Sequence, residues 1–216
     1  MKNDEILSSF LGRYPQLQGI RSALEKAAQL MIQCYSEGGK VLICGNGGSS
    51  SDSDHIAGEL MKSFEIRRPI GVDLINRLTG AGGERGEYIS GKLEQGFPAI
   101  SLTGQTALIT AIGNDIDPSL IFAQQVVVYG NPGDVIIGIS CSGNSQNVVD
   151  ALITARAKGM KVIGLTGESG GRIKDYCDVM IGVPGQHTGD IQELHLPVYH
   201  ALCRMVENQF FGEGLM

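Results

Sequence analysis

A chain of 216 residues has the length of one domain or two small ones, and its 42% hydrophobic and 19% charged residues exclude a disordered or fibrous protein. Seventeen basic against 23 acidic residues leave a formal net charge of −6. No long-range positive field therefore draws in nucleic acid or an anionic membrane, and an anionic ligand must be held by local groups.

No run approaches the roughly 18 apolar residues of a membrane span, and the chain starts charged and polar where a signal peptide would be apolar, which points to a cytoplasmic protein. The five cysteines, Cys34, Cys44, Cys141, Cys177 and Cys203, are odd in number, far apart and form no CxxC pair, so they read as reduced thiols that mostly fill the core. Thirty-one glycines, twice the usual share of about 7%, imply many tight turns.

In chain order, residues 20–35 carry Ile20, Leu24, Ala27, Ala28, Met31 and Ile32 at helical spacing. Short β-branched runs at 40–44, 99–103, 134–140, 161–166 and 179–183 have glycines crowding their C-terminal ends and read as buried parallel strands. Between the third and fourth, residues 145–158 place Val148, Val149, Leu152 and Ala155 on one helical face before Gly159. A second long apolar helical face covers 190–210. This alternation predicts an α/β domain spanning 1–216: one open parallel sheet covered on both faces, with helices at either end free for contacts between subunits. Ligands bind such sheets beyond the carboxyl ends of the strands. Residues 70–95 stand apart, with six glycines and no sustained period before a short turn at 88–93; they read as a long glycine-rich insertion serving as a lid or interface element.

The first strand empties into Gly45-Asn46-Gly47-Gly48-Ser49-Ser50-Ser51-Asp52. The glycines allow close approach to a ligand, and the serines and Asp52 are candidate caps for the helix that follows. No third glycine completes a dinucleotide fingerprint and no lysine completes a P-loop. The third strand ends in Ser140-Cys141-Ser142-Gly143-Asn144-Ser145 with a helix immediately after. Hydroxyls, backbone N–H groups and a helix N-terminus together suit a phosphate monoester. Because no basic residue stands in this segment, the loop reads as holding and releasing a phosphorylated metabolite rather than cleaving it. Cys141 alternates with Ser140 and Ser142, so its thiol is expected to point away from them into the core.

His55 and Glu59 are four apart on the helix after the glycine loop, which puts them on one face. Gln192 and His200, eight apart on the late helix, also share a face, whereas His187 and His195 are set aside as ordinary residues.

Taken together, Cys44-Gly45-Asn46-Gly47-Gly48-Ser49, His55-Ile56-Ala57-Gly58-Glu59, Gly113-Asn114-Asp115, the Ser140–Ser145 motif and Gln192-Glu193-Leu194-His195 resemble the sugar isomerase (SIS) domain family, and within it the phosphoheptose isomerases. The resemblance implies a three-layer, doubly wound, flavodoxin-like sheet of five parallel strands and a homotetramer with active sites between subunits. It implies that Ser140, Ser142 and Ser145 hold the sugar phosphate, that Asn46, Gly47, Gly48, Ser49, Asn114 and Asp115 contact the rest of the sugar, and that Cys141 and Gln192 line the same site. It further implies a zinc site of His55, Glu59, Gln192 and His200, with Glu59 and His200 transferring protons as sedoheptulose 7-phosphate becomes D-glycero-D-manno-heptose 7-phosphate. A non-catalytic member binding a phosphosugar or a protein partner, or an isomerase of another phosphosugar, is the alternative. Two features depart from the family pattern: the 70–95 insertion, and Pro197, which is expected to break the backbone bond to residue 193 and bend the helix between Gln192 and His200.

Overall fold

The computed structural model describes residues 3–212. The five apolar runs form β1 (Val41–Gly45), β2 (Ala99–Ser101), β3 (Val135–Ser140), β4 (Lys161–Gly167) and β5 (Val179–Val183), within a residue or two of the sequence expectation. All pair in parallel in the order β2-β1-β3-β4-β5. Every residue of β1 and β3 is buried because helices cover both faces. The alternation of side chains sends Val41 and Ile43 to one core and Leu42 and Cys44 to the other.

On the first face lie α1 (Asn3–Arg13), α2 (Arg21–Ser36), α3 (Gly48–Met61) and α8 (Thr188–Phe211). The second face is covered by α6 (Ala123–Tyr129) and α7 (Gln146–Ala157), with α5 (Thr106–Asp115) after β2. Helix α1 was not expected from the sequence; Leu7, Phe10 and Leu11, on one face of its three turns, bury against α8. No helix among the described residues is long and apolar enough to cross a membrane.

The 70–95 segment is not a loop. Residues Val72–Ser90 form α4, broken at Gly83, whose backbone (φ 51°, ψ −131°) is non-helical and folds the element into a hairpin. Gly86 closes that hairpin, since a Cβ there would lie 1.9 Å from the Leu78 carbonyl oxygen. The stem is tied by an antiparallel bridge of Pro69 and Glu94 and by the Gln95 N–H donated to the Arg68 carbonyl at 2.6 Å. Helix α8 continues through Pro197 from Thr188 to Phe211 and packs against α1, α2 and α3; having no N–H, Pro197 leaves the carbonyl of residue 193 without its helical bond, as expected.

Strand order reverses between β1 and β3, whose crossovers leave in opposite directions. Such a switch point opens a crevice at the carboxyl ends of the two strands. The loop after β1 meets the first turn of α7 there through Asn46 and Asn147, whose side-chain amides exchange two hydrogen bonds of 2.8 and 2.9 Å.

Candidate active site

The β1 loop enters α3 through Gly47, and no side chain caps the helix. The expected capping serines and Asp52 instead lie inside α3, where Ser53 Oγ donates back to the Ser49 carbonyl at 2.8 Å. Gly48 faces Gln192 of α8 so closely that a Cβ would sit 2.7 Å from its amide nitrogen.

After β3, Ser140 and Ser145 hydroxyls bond each other at 3.0 Å. Ser145 is the N-cap residue of α7 but does not cap it with its side chain, so its hydroxyl is turned toward the loop. The Ser142 hydroxyl accepts the Asn144 N–H at 3.2 Å. Gly143 (φ 67°) makes the turn and lies against a second glycine turn, where a Cβ would be 2.1 Å from the Gly170 carbonyl oxygen. That second turn supplies a cation absent from the serine segment itself: Arg172 donates its N–H to Asn144 Oδ1 at 3.1 Å and its guanidinium to Gln146 Oε1 at 2.7 Å. A cavity of about 490 Å³ opens beside the loop, lined by Cys141, Ser142, Asn144, Glu168, Ser169 and Thr188.

Cys141 meets the expectation of a core thiol in part, packing against the first core. It is half-buried and its sulfur meets Ser49 and Gln192, joining the two loops; burial raises its pKa, which keeps it a thiol rather than a nucleophile. Asn114 and Asp115 lie exposed at the C-terminal end of α5, where the Asn114 amide donates to Asp115 Oδ1 at 2.7 Å.

Deeper along α3, His55, Glu59 and His200 converge, with one ligand-type atom from each within 4.8 Å of the others. His55 Nε2 is 3.0 Å from Glu59 Oε1 and 3.4 Å from His200 Nε2. Glu59 Oε2 accepts from Lys62 Nζ at 3.4 Å, so the two carboxylate oxygens face different partners. His200 has a lowered pKa, through burial first and the nearby His55 second, which favours a neutral ring. Gln192, the fourth member of the expected ligand set, lies two turns earlier on α8 against Gly48 and the Cys141 thiol. Two imidazoles and a carboxylate, neutral or anionic donors turned toward one another, are the donor set a zinc ion takes and one that a cation between them would relieve.

Two further residues join this cluster that the sequence reading left out of it. Tyr199 OH lies 3.0 Å from His55 Nδ1 and donates to Asp52 Oδ1 at 3.2 Å. Asp52 precedes His55 by one helical turn and so shares its face, a signal the capping assignment concealed. His187 is not idle either: its N–H donates to Asp190 Oδ2 at 3.2 Å at the start of α8. His195 is fully buried on α8, and burial pushes its pKa down to about 4, with the Thr166 backbone opposing only in part.

The chain is similar to known proteins in both sequence and fold. The model of the SIS domain family matches residues 16–95 and 94–167. A phosphoheptose isomerase of Burkholderia pseudomallei (strain 1710b) is 40% identical over 192 residues, covering 89% of this chain and 84% of the relative. The solved phosphoheptose isomerase of Francisella tularensis superposes with a TM-score of 0.75 at 33% identity, over 95% of this chain and 96% of the other. That of Neisseria gonorrhoeae gives 0.70 at 35% identity, over 92% and 94%. With these lengths, identities and shared folds, the chain belongs to the SIS domain family and, within it, to the phosphoheptose isomerases.

Proposed function

We propose that this chain is an aldose–ketose isomerase that converts sedoheptulose 7-phosphate to D-glycero-D-manno-heptose 7-phosphate through an enediol. The observation that carries the reading is the meeting of Glu59, His55 and His200, the two histidines 145 residues apart in sequence, on α3 and α8, the two helices whose Ser49 and Gln192 also meet Cys141 of the hydroxyl-lined loop suited to a phosphate. His55 lies seven residues beyond Gly48 on α3, about 10 Å along the helix axis, the scale of a phosphorylated sugar rather than of a small anion.

In this reading Ser140, Ser142 and Ser145, with the N-terminus of α7, hold the phosphate. Asn46, Gly47, Gly48 and Ser49 border the sugar chain, and Cys141 and Gln192 line the passage between the loops. The Glu59 carboxylate takes the proton from C1 of the ketose and returns it at C2, while neutral His200 moves the hydroxyl proton from O1 to O2. Those two transfers balance the reaction without a redox partner. Zinc is the group that the family resemblance implies, and His55, Glu59 and His200 would hold it; because a ligated lone pair cannot take a proton, Glu59 and His200 would have to be released from it to act as the proton carriers, and when bound it would supply a Lewis acid that stabilises negative charge on the sugar oxygens. We also infer a homotetramer, in which Asn114 and Asp115 of one subunit serve a neighbour's site, and a cytoplasmic setting, supported by five unpaired cysteines.

The test is direct. Purified protein, with zinc supplied, is incubated with sedoheptulose 7-phosphate and the aldose followed by NMR. Formation of the aldose, lost in Glu59→Gln and His200→Ala variants that still fold, supports the reading. Absence of turnover in protein that binds the sugar phosphate would leave only a sugar-binding member of the family.

A further inference from the structure

The Tyr199 hydroxyl stands between two partners, 3.2 Å from Asp52 Oδ1 and 3.0 Å from His55 Nδ1. Tyr199 is buried, at 2% exposure, and its ring meets that of His55 edge-on at 5.4 Å between centroids, so the phenol is fixed in place. A phenol has a single proton to donate, and a carboxylate only accepts. With that proton on Asp52, the Tyr199 oxygen has only lone pairs to offer His55, and the hydrogen of this contact must come from His55 Nδ1. A neutral His55 ring then carries its remaining lone pair on Nε2, the atom that faces Glu59 Oε1 and His200 Nε2.

We propose that Tyr199 and Asp52 are positioning residues which lock His55 in the Nδ1–H tautomer and so present Nε2 as a ligand atom. This rests on reading the His55, Glu59, His200 cluster as a metal and proton-transfer centre. Free histidine side chains favour the opposite tautomer, with the proton on Nε2, and the Glu59 carboxylate, an acceptor 3.0 Å from Nε2, favours it further, so the Tyr199–Asp52 pair has to outweigh both. Without the Tyr199–Asp52 pair the ring would aim an N–H into the cluster instead of a lone pair. Outer partners of this kind orient ligating histidines and set how tightly they bind a metal.

The test uses the full chain as wild type, Tyr199→Phe and Asp52→Ala. Tyr199→Phe keeps the ring and removes only the hydroxyl. Asp52→Ala keeps the phenol but frees its proton to turn toward Nδ1, so it should shift the tautomer the same way. The ¹⁵N ring shifts of His55 in zinc-free protein, at a pH where the ring is neutral, should show Nδ1 protonated in wild type and Nε2 protonated in both variants. Zinc affinity, measured by competition with a chelator, should fall by about 10- to 100-fold in both. An unchanged tautomer in two folded variants overturns the relay, whatever the zinc result. A wild type that binds no zinc overturns the metal reading of the cluster, and the NMR comparison then decides the relay alone.

Discussion

The Arg68 guanidinium and the Glu207 carboxylate form an ion pair with both side chains out of water, at 0% and 1% exposure, and 2.8 Å between Nε and Oε1. Glu207 also accepts the N–H groups of Phe64 and Glu65, each at 2.8 Å. Arg68 donates to the Leu60 carbonyl at 2.8 Å and to that of Glu59 at 3.3 Å. The pair thus ties the C-terminal end of α3, which carries Glu59, to α8, which carries His200. Removing one partner leaves a buried charge without compensation, so Glu207→Ala should lower stability by about 3–5 kcal/mol. Chemical denaturation would measure it, and a loss below about 1 kcal/mol would show that water reaches the pair.

Gly48→Ala separates the site from the fold. The added methyl would meet the end of the Gln192 side chain, 2.7 Å from its nitrogen and 2.9 Å from its oxygen, and a flexible side chain can move aside. Thermal stability should hold or rise slightly, since alanine narrows the unfolded ensemble. Displacement of Gln192 from the passage between the loops should lower kcat/KM by roughly 10- to 100-fold, as misplacements of about 1 Å do. Equal activity of the two proteins would remove Gln192 from the site.

Much of this was legible in the sequence, for physical reasons that also mark where it failed. Buried parallel strands must be continuous apolar runs, so β1 and β3 stood out, and four-residue spacing put His55 and Glu59 on one face. Hairpin α4 was hidden because its glycines erase helical period, while one of them, Gly83, makes the turn that lets the rest be helical. The Ser49–Asp52 run looked like a cap because serine and aspartate favour caps, but here their side chains serve partners farther away, Tyr199 for Asp52 and Cys141 for Ser49. Contacts across 147 residues, such as that of Tyr199 with Asp52, and the arrival of Arg172 beside α7, follow from strand order and have no local signature.

Ser145→Ala tests the phosphate loop. Because the hydroxyl bonds Ser140 and does not cap α7, its loss should change stability by no more than about 0.5 kcal/mol. A hydrogen bond to a charged group contributes about 1.5–3 kcal/mol, so KM for the phosphorylated sugar should rise by roughly 10- to 100-fold. Steady-state kinetics beside a melting curve would read both; a large fall in melting temperature with KM unchanged would make Ser145 a structural residue only.

His195 should give the fold a distinct acid sensitivity. Its folded pKa of about 4 lies below the ordinary 6.5, so as pH falls the unfolded chain takes up the proton first. Stability from this residue is complete above pH 6.5 and declines between 6.5 and about 4. The total is roughly 3 kcal/mol at 1.36 kcal/mol per pKa unit. Among the described residues the Thr166 backbone is the one polar partner near the ring, so His195→Leu should cost no more than about 1 kcal/mol at neutral pH and should flatten the stability profile in that window. Denaturation midpoints taken across the range would show parallel curves for the two proteins if the ring is solvated instead.

Hairpin α4 should be removable. It packs on no other helix or strand to any extent among the described residues, leaving Val72 68%, Tyr88 56% and Leu74 39% exposed. The bonds that close its stem lie outside the helix: Glu94 accepts from Ser63, and the Gln95 side chain donates to the Pro69 carbonyl at 2.7 Å. Replacing residues 72–90 by a short Gly-Ser linker removes no core side chain except the small Gly86 contact, which belongs to the hairpin itself. The melting temperature should therefore stay within about 2–4 °C of wild type, the shift that roughly 1 kcal/mol produces in a domain of this size. A steep loss of stability would mean that α4 supports the sheet. With the fold intact, a change in kinetics or in subunit number identifies the hairpin as lid or interface, because several of its apolar side chains, Val72 and Leu74 among them, stay exposed; no change in either dismisses both roles.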